Sequence, residues 1–228
     1  MSERLKNFPR EPDMMVFALR SLVALIIRGW LKLYHRLEII GREHLPKDKS
    51  FVIVANHTSH LDAPTLAAAL PLKKLHRVFP AAAADYFFKN VPRTWFSAVV
   101  VNALPFDRKS RNRQSLGMCQ ALLQNPDGNV LIIFPEGTRS VTGQLNSFKP
   151  GIGLLVAGTE IPIVSCFIEG AYRAWPKGKF FPRPRKIRLT IQPPQSFENL
   201  SPRKEDVLAL TQTLENSVKD LQKAASAG

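Results

Sequence analysis

Cysteine is nearly absent. Only Cys119 and Cys166 occur in 228 residues. Both lie in apolar stretches, so two buried thiols in a reducing compartment are expected. No Cys/His spacing of the zinc type is present. HExxH and Walker A sequences are missing too, so neither a metal nor ATP is implied. Without a G-x-S-x-G elbow, a covalent acyl-serine intermediate is not indicated. Gly151-Ile152-Gly153 followed by Gly158 has the wrong spacing for a dinucleotide fingerprint, and it follows a loop. Acidic residues are scarce: 18 against 32 Lys and Arg, a formal net charge of +14. That balance suits an anionic partner, whether lipid headgroups, an acidic carrier protein, a phosphorylated substrate or nucleic acid.

Long apolar runs are lacking as well. No stretch reaches the roughly 18 uninterrupted apolar residues of a membrane span. The nearest, Met14 to Tyr34, is broken by Arg20, Arg28 and Lys32. At 100° per residue these fall at about 0°, 80° and 120° on one side of a helix. Met15, Leu22, Val23, Leu25, Ile26, Trp30 and Leu33 occupy the rest, and Phe17 falls at about 60°, among the basic residues. The pattern predicts an amphipathic helix in a membrane interface, or else a helix packed on the domain. Arg20 interrupts the apolar region and no small-residue cleavage site follows, which argues against a signal peptide.

What is present is a chain 45% hydrophobic and 22% charged, in the range of a folded domain rather than a disordered one. Residues 1–12 read as a loose arm. Phe51–Ala55 reads as a buried strand, and Ala63–Leu70 as a helix with Pro64 in its first turn. Between them lies Asn56-His57-Thr58-Ser59-His60-Leu61-Asp62, a base candidate and a carboxylate on a strand-to-helix turn. Five residues apart, His57 and Asp62 miss the i, i+4 register, so a turn must bring them together. Asp62 would then hold one ring nitrogen of His57 and free the other to accept a proton from a hydroxyl. Asp62 is also well placed as an N-cap, and His60 is a rival base.

A second apolar strand, Val130–Ile133, delivers Phe134-Pro135-Glu136-Gly137-Thr138-Arg139-Ser140. Further along, Ala81–Phe88 favours helix by propensity, and Arg111–Gln124 reads as a helix closed by Asn125-Pro126-Asp127-Gly128. Gly151–Ala157 looks helical and Ile161–Phe167 extended. Ala171–Arg185 should be irregular and Lys186–Gln192 a strand. A last helix should start with Ser201 as N-cap, Pro202 at N1 and Glu205 near the capping-box position. Strands alternating with helices predict an α/β domain with a mostly parallel sheet flanked by helices.

NHTSHLD and FPEGTRS together resemble the glycerolipid acyltransferase family, which contains the 1-acylglycerol-3-phosphate acyltransferases. The first family motif, His, four residues, Asp, is His57 and Asp62. Leu104-Pro105-Phe106-Asp107-Arg108 fits the second loosely, with Asn102 where Gly is common. FPEGTRS is the third in full, and Ile161-Pro162-Ile163-Val164 fits the fourth. The resemblance covers roughly residues 36–170. It implies direct acyl transfer from acyl-CoA or acyl carrier protein to a lysophospholipid hydroxyl, with no other cofactor and no metal. His57 would be the base and Asp62 its partner. Glu136, Gly137, Thr138 and Arg139 would bind the phosphorylated acceptor, with Arg108 as a second phosphate ligand. Arg139 could instead pair with Glu136 to fix the turn.

The expected organisation is an arm and interfacial helix over residues 1–35 and an acyltransferase domain over 36–228. The expected location is the cytoplasmic face of an anionic membrane, peripheral or monotopic, with no nucleic-acid partner. Two other readings compete. One is a basic membrane- or nucleic-acid-binding module built on Arg108–Arg113 and Arg183–Arg188; the other is a thioester hydrolase using His57 to activate water.

Overall fold

The structure, a computed structural model, describes residues 14–83, 104–106, 113–125 and 128–227. Seven strands form one sheet: β1 (Glu38–Ile40), β2 (Phe51–Ala55), β3 (Val78–Ala83), β4 (Leu104–Phe106), β5 (Val130–Ile133), β6 (Ile163–Glu169) and β7 (Arg188–Ile191). Their order is β1-β7-β6-β2-β5-β3-β4. Every pairing is parallel except β6 with β7. The α/β class and mostly parallel sheet are those expected.

β2 stands in the middle of the sheet, and all five of its residues are buried. An unbroken apolar strand is what a sheet covered on both faces requires. Its alternate residues separate cleanly. Phe51, Ile53 and Ala55 join one core, and Val52 and Val54 join another. The first core packs against α1 (Met14–Leu33) and α2 (Asp62–Ala69). The second packs against α3 (Arg113–Leu123), α4 (Gly151–Val156) and α6 (Lys204–Ala227). At Gly153 a Cβ would stand 2.5 Å from the Val207 carbonyl oxygen, so a side chain there would push α4 off α6. Cys119 and Cys166 are both free and buried.

α1 has the expected length, but its orientation corrects the expected arrangement of its basic arc. Arg20 is buried. Arg28 Nη2 donates to Ala67 O at 3.1 Å and also to Leu70 O, at the C-terminal end of α2. Arg42 Nε adds a bond to Ala69 O at 2.8 Å. Both arginines therefore turn inward, and Arg28 meets carbonyls at the negative end of the α2 dipole, which attract cations. Lys32 alone of the three is exposed. The apolar arc faces outward, with Met15, Leu22, Leu25, Ile26 and Leu33 all exposed. α1 meets the length and composition of a membrane-crossing helix.

Other expectations shift locally. β3 continues through Ala83, where pairing with Phe106 of β4 overrides alanine's helix propensity. Within Ala171–Arg185, expected to be irregular, Ala171–Ala174 forms one helical turn, α5. α6 begins at Lys204 rather than at Pro202. Asp206, not Glu205, reaches back, its Oδ2 accepting from Ser201 N at 3.1 Å and Ser201 Oγ at 2.5 Å. The expected arm over residues 1–12, most of the helix over Ala81–Phe88, and Arg108 lie outside the described residues.

Candidate active site

Three neighbouring parallel strands, β6, β2 and β5, end at the same edge of the sheet. The chain leaving β2 carries Asn56–Asp62, that leaving β5 carries Phe134–Ser140, and that leaving β6 carries Gly170–Trp175. Crevices outside the carboxyl ends of parallel strands are where α/β folds place ligands.

Asn56 starts the turn. Buried, it donates from Nδ2 to Ile168 O at 3.0 Å and accepts at Oδ1 from Ile168 N at 2.8 Å. This side chain continues the β2–β6 ladder beyond the strand's end. His57 and Asp62 then meet, with Nδ1 2.8 Å from Oδ2. The same Oδ2 accepts from Thr58 N at 2.7 Å and Ser59 N at 2.8 Å. Asp62 is fully buried. It is the first residue of α2, with Leu61 at the N-cap, so its carboxylate ties back the preceding turn rather than capping the helix. The bend closes the five-residue gap.

The His57 ring stacks on Phe134, with centroids 4.0 Å apart and planes 14° apart. Asp62 from one side and Phe134 from the other fix the imidazole. With Nδ1 donating its proton to the carboxylate, Nε2 carries a lone pair. The side chain is 20% exposed, and Nε2 makes no hydrogen bond with a described residue. A nitrogen so placed is chemically able to accept a proton.

Glu136 is buried and held on both oxygens. Oε1 accepts from His57 N at 2.6 Å. Oε2 accepts from Asn146 N at 3.0 Å and Asn146 Nδ2 at 2.7 Å. Burial raises its pKa, and these hydrogen bonds oppose the rise. Glu136 thus ties the two motifs together. Ser140 N adds a bond to His57 O at 2.8 Å. Gly137 turns the chain at φ 73°, an angle that favours glycine; the atoms nearest to where a Cβ would stand are the end of the flexible Lys149 side chain, which could move aside. Thr138 is exposed.

Arg139 does not pair with Glu136. Its Nη1 lies 2.6 Å from Nε2 and 2.7 Å from Nδ1 of His60. Burial first, then the Arg139 charge, lowers the His60 pKa. The His60 ring also leans on Trp175, 5.1 Å between centroids. Ser59 Oγ donates to Trp175 O at 2.7 Å. His60 is therefore a partner of Arg139 and Trp175, whereas His57 has the carboxylate.

Asn56, Phe134, Asn146 and Trp175 escaped the sequence reading. Asn56 and Phe134 sit inside the recognised motifs, and an amide just past a buried strand is a usable signal. Asn146 and Trp175 meet the site only through the fold.

The fold and this edge of the sheet are those of an α/β enzyme that works at the carboxyl ends of its strands. The family model described as Acyltransferase matches residues 36–169, spanning β1 through β6 and both motifs, and the chain belongs to that family. It is similar to the 1-acyl-sn-glycerol-3-phosphate acyltransferase of Bacillus subtilis (strain 168), 29% identical over 205 residues, which make up 88% of this chain and 92% of that protein. It is also similar to the 1-acyl-sn-glycerol-3-phosphate acyltransferase alpha of Mus musculus, 28% identical over 190 residues, covering 80% of this chain but 62% of that protein. Among solved structures, the 1-acyl-sn-glycerophosphate (LPA) acyltransferase PlsC from Thermotoga maritima superposes with a TM-score of 0.68 at 28% identity, over 96% of this chain and 82% of that one.

Proposed function

We propose that the protein is an O-acyltransferase that moves a fatty acyl group from an acyl thioester to a hydroxyl of a lysophospholipid, 1-acylglycerol-3-phosphate first among them, in phospholipid biosynthesis. The observation that carries this reading is the 2.8 Å contact of His57 Nδ1 with Asp62, which leaves Nε2 to act. The names of the relatives support the acceptor class.

The acceptor hydroxyl oxygen attacks the thioester carbonyl carbon while His57 Nε2 takes the hydroxyl proton. Asp62 stabilises the resulting imidazolium. The tetrahedral intermediate collapses with loss of the carbon–sulfur bond, and the imidazolium returns its proton to the leaving thiolate. The products are an ester and a free thiol; the acyl donor, acyl-CoA or acyl carrier protein, is consumed, and no resident cofactor or metal takes part. Arg139 and the Gly137–Thr138 turn offer charge and backbone donors to the acceptor phosphate, with Arg108 as the second cation. Glu136 positions the turn. His60, occupied by Arg139, serves the phosphate side of the site rather than the base.

In this reading residues 1–35 form the arm and interfacial helix, and residues 36–228 carry the chemistry. The exposed apolar arc of α1 enters one leaflet from the cytoplasmic side, so the enzyme is peripheral or monotopic. The test supplies long-chain acyl-CoA and acyl carrier protein in parallel to a panel of lysophospholipids, with products read by mass spectrometry. Acylated lysophosphatidate is expected. Free fatty acid alone would make the protein a hydrolase, and no turnover with either donor would leave only a binding module.

A further inference from the structure

The segment between β6 and β7 has no part in the proposed chemistry, yet it is firmly built. Arg183 N bonds Ala174 O at 2.8 Å, closing residues 175–182 into a loop. Trp175 Nε1 donates to Lys179 O at 2.9 Å, and Lys179 N to Pro176 O at 3.3 Å. Gly178 makes the turn at φ 87°. At the tip stand Phe180 and Phe181, 83% and 75% exposed. Their rings meet edge to face, with centroids 4.8 Å apart. Lys177, Lys179, Arg183 and Arg185 flank them in the sequence and are exposed. None of these four side chains forms an ion pair or hydrogen bond with a described residue. The sequence holds no acidic residue from Gly170 to Phe197.

We propose that the Phe180–Phe181 tip and its four cations form a second membrane-insertion element, specific for anionic phospholipid surfaces and separate from α1. This rests on the membrane reading of α1 given above. An exposed apolar point flanked by exposed cations on the same loop matches the layering of an acidic bilayer, with charge at the headgroups and aromatic rings at the acyl boundary. The loop also continues the surface that α1 offers. Tyr34 Oη, just past the end of α1, donates to Pro182 O at 3.2 Å, and His35 Nδ1 lies 3.2 Å from Arg185 O. At its other end, Trp175 touches His60 and Ser59 of the catalytic turn. Two points of attachment, one on each side of this strap, would hold the mouth of the site against the bilayer, where an acyl-bearing acceptor resides.

The test uses the full chain with Phe181→Cys carrying an environment-sensitive fluorophore. The native thiols are both buried, and burial pushes Cys119 up to about 11 and Cys166 higher still, so the label goes to the tip. Vesicles of phosphatidylcholine alone, and with phosphatidylglycerol added, are titrated in. A blue shift with the anionic vesicles, and quenching by brominated acyl chains, are expected. In the unlabelled protein, replacing the four cations by Gln should weaken binding to anionic vesicles about tenfold to a hundredfold at low salt. Phe180→Ser with Phe181→Ser should weaken it at high salt too, about tenfold or more. Vesicle binding with an unshifted probe would leave α1 as the attachment and overturn the proposal. A shift with acyl carrier protein or RNA, but not with vesicles, would overturn it in favour of another partner. These readouts need no turnover, so they stand apart from the acyltransferase assay.

Discussion

Asp62 carries two jobs on one atom, and two substitutions separate them. Oδ2 holds His57 and also the amides of Thr58 and Ser59, both of which are buried. In Asp62→Ala the two amides lose their acceptor, at about 1–3 kcal/mol each, so about 2–6 kcal/mol of stability goes. That is a large part of the roughly 5–15 kcal/mol that holds a domain together. In Asp62→Asn the amide oxygen can keep both contacts. Its NH₂ then falls where Oδ1 now sits, a buried position with no partner among the described residues, and the cost is only about 1–3 kcal/mol. The imidazolium, however, loses its negative partner, and turnover should fall on the order of 10²–10⁴-fold. Denaturant titration gives the stabilities, and thiol release from acyl-CoA gives the rates. Asp62→Asn should be folded and nearly inactive. An Asn variant with near-normal turnover would refute the catalytic role and reduce Asp62 to a brace for the turn.

His57→Ala should abolish transfer while His60→Ala keeps most of it, measured by product formation at saturating donor; the reverse ranking would exchange their roles. Arg139→Ala should raise KM for a phosphorylated acceptor more than it lowers kcat, because it removes a ground-state contact; an unchanged KM takes Arg139 out of the phosphate site. Stability should fall on acidification between about pH 7 and 5. Burial lowers the His60 and His35 pKa values, so the unfolded chain takes up protons first as pH drops through the ordinary histidine value near 6.5. His60→Gln should flatten part of that slope in thermal melts.

The sequence was most informative where chemistry and local geometry coincide. An apolar strand, a five-residue turn and a Pro-started helix located His57 and Asp62, and their meeting needed only a bend. The second motif block was equally plain, but its internal pairing was not. Glu136 and Arg139, three residues apart, go to Asn146 and His60 respectively, choices that depend on loops brought in from elsewhere. α1 shows a different limit. Its periodicity set most apolar residues apart from the basic ones, yet periodicity is symmetric between the two sides of a boundary. Which arc turns inward was decided by the carbonyls ending α2, over 30 residues on. Ser201 likewise found Asp206 rather than Glu205, a matter of one residue at a helix end, where boundaries are hardest to read.

The inward arginines of α1 bear on how a water-soluble version of this enzyme could be made. Trimming the chain before Arg36 removes the greasy surface, but it also removes Arg28, Leu31 and His35, and Leu31 and His35 are wholly buried. The end of α2 would keep Arg42 but lose Arg28, and α2 begins with Asp62. Such a truncation should therefore lose activity even toward a short-chain, water-soluble acceptor. Changing Leu22, Leu25, Ile26 and Leu33 to Gln or Lys leaves every inward contact standing. It is the route that separates solubility from catalysis.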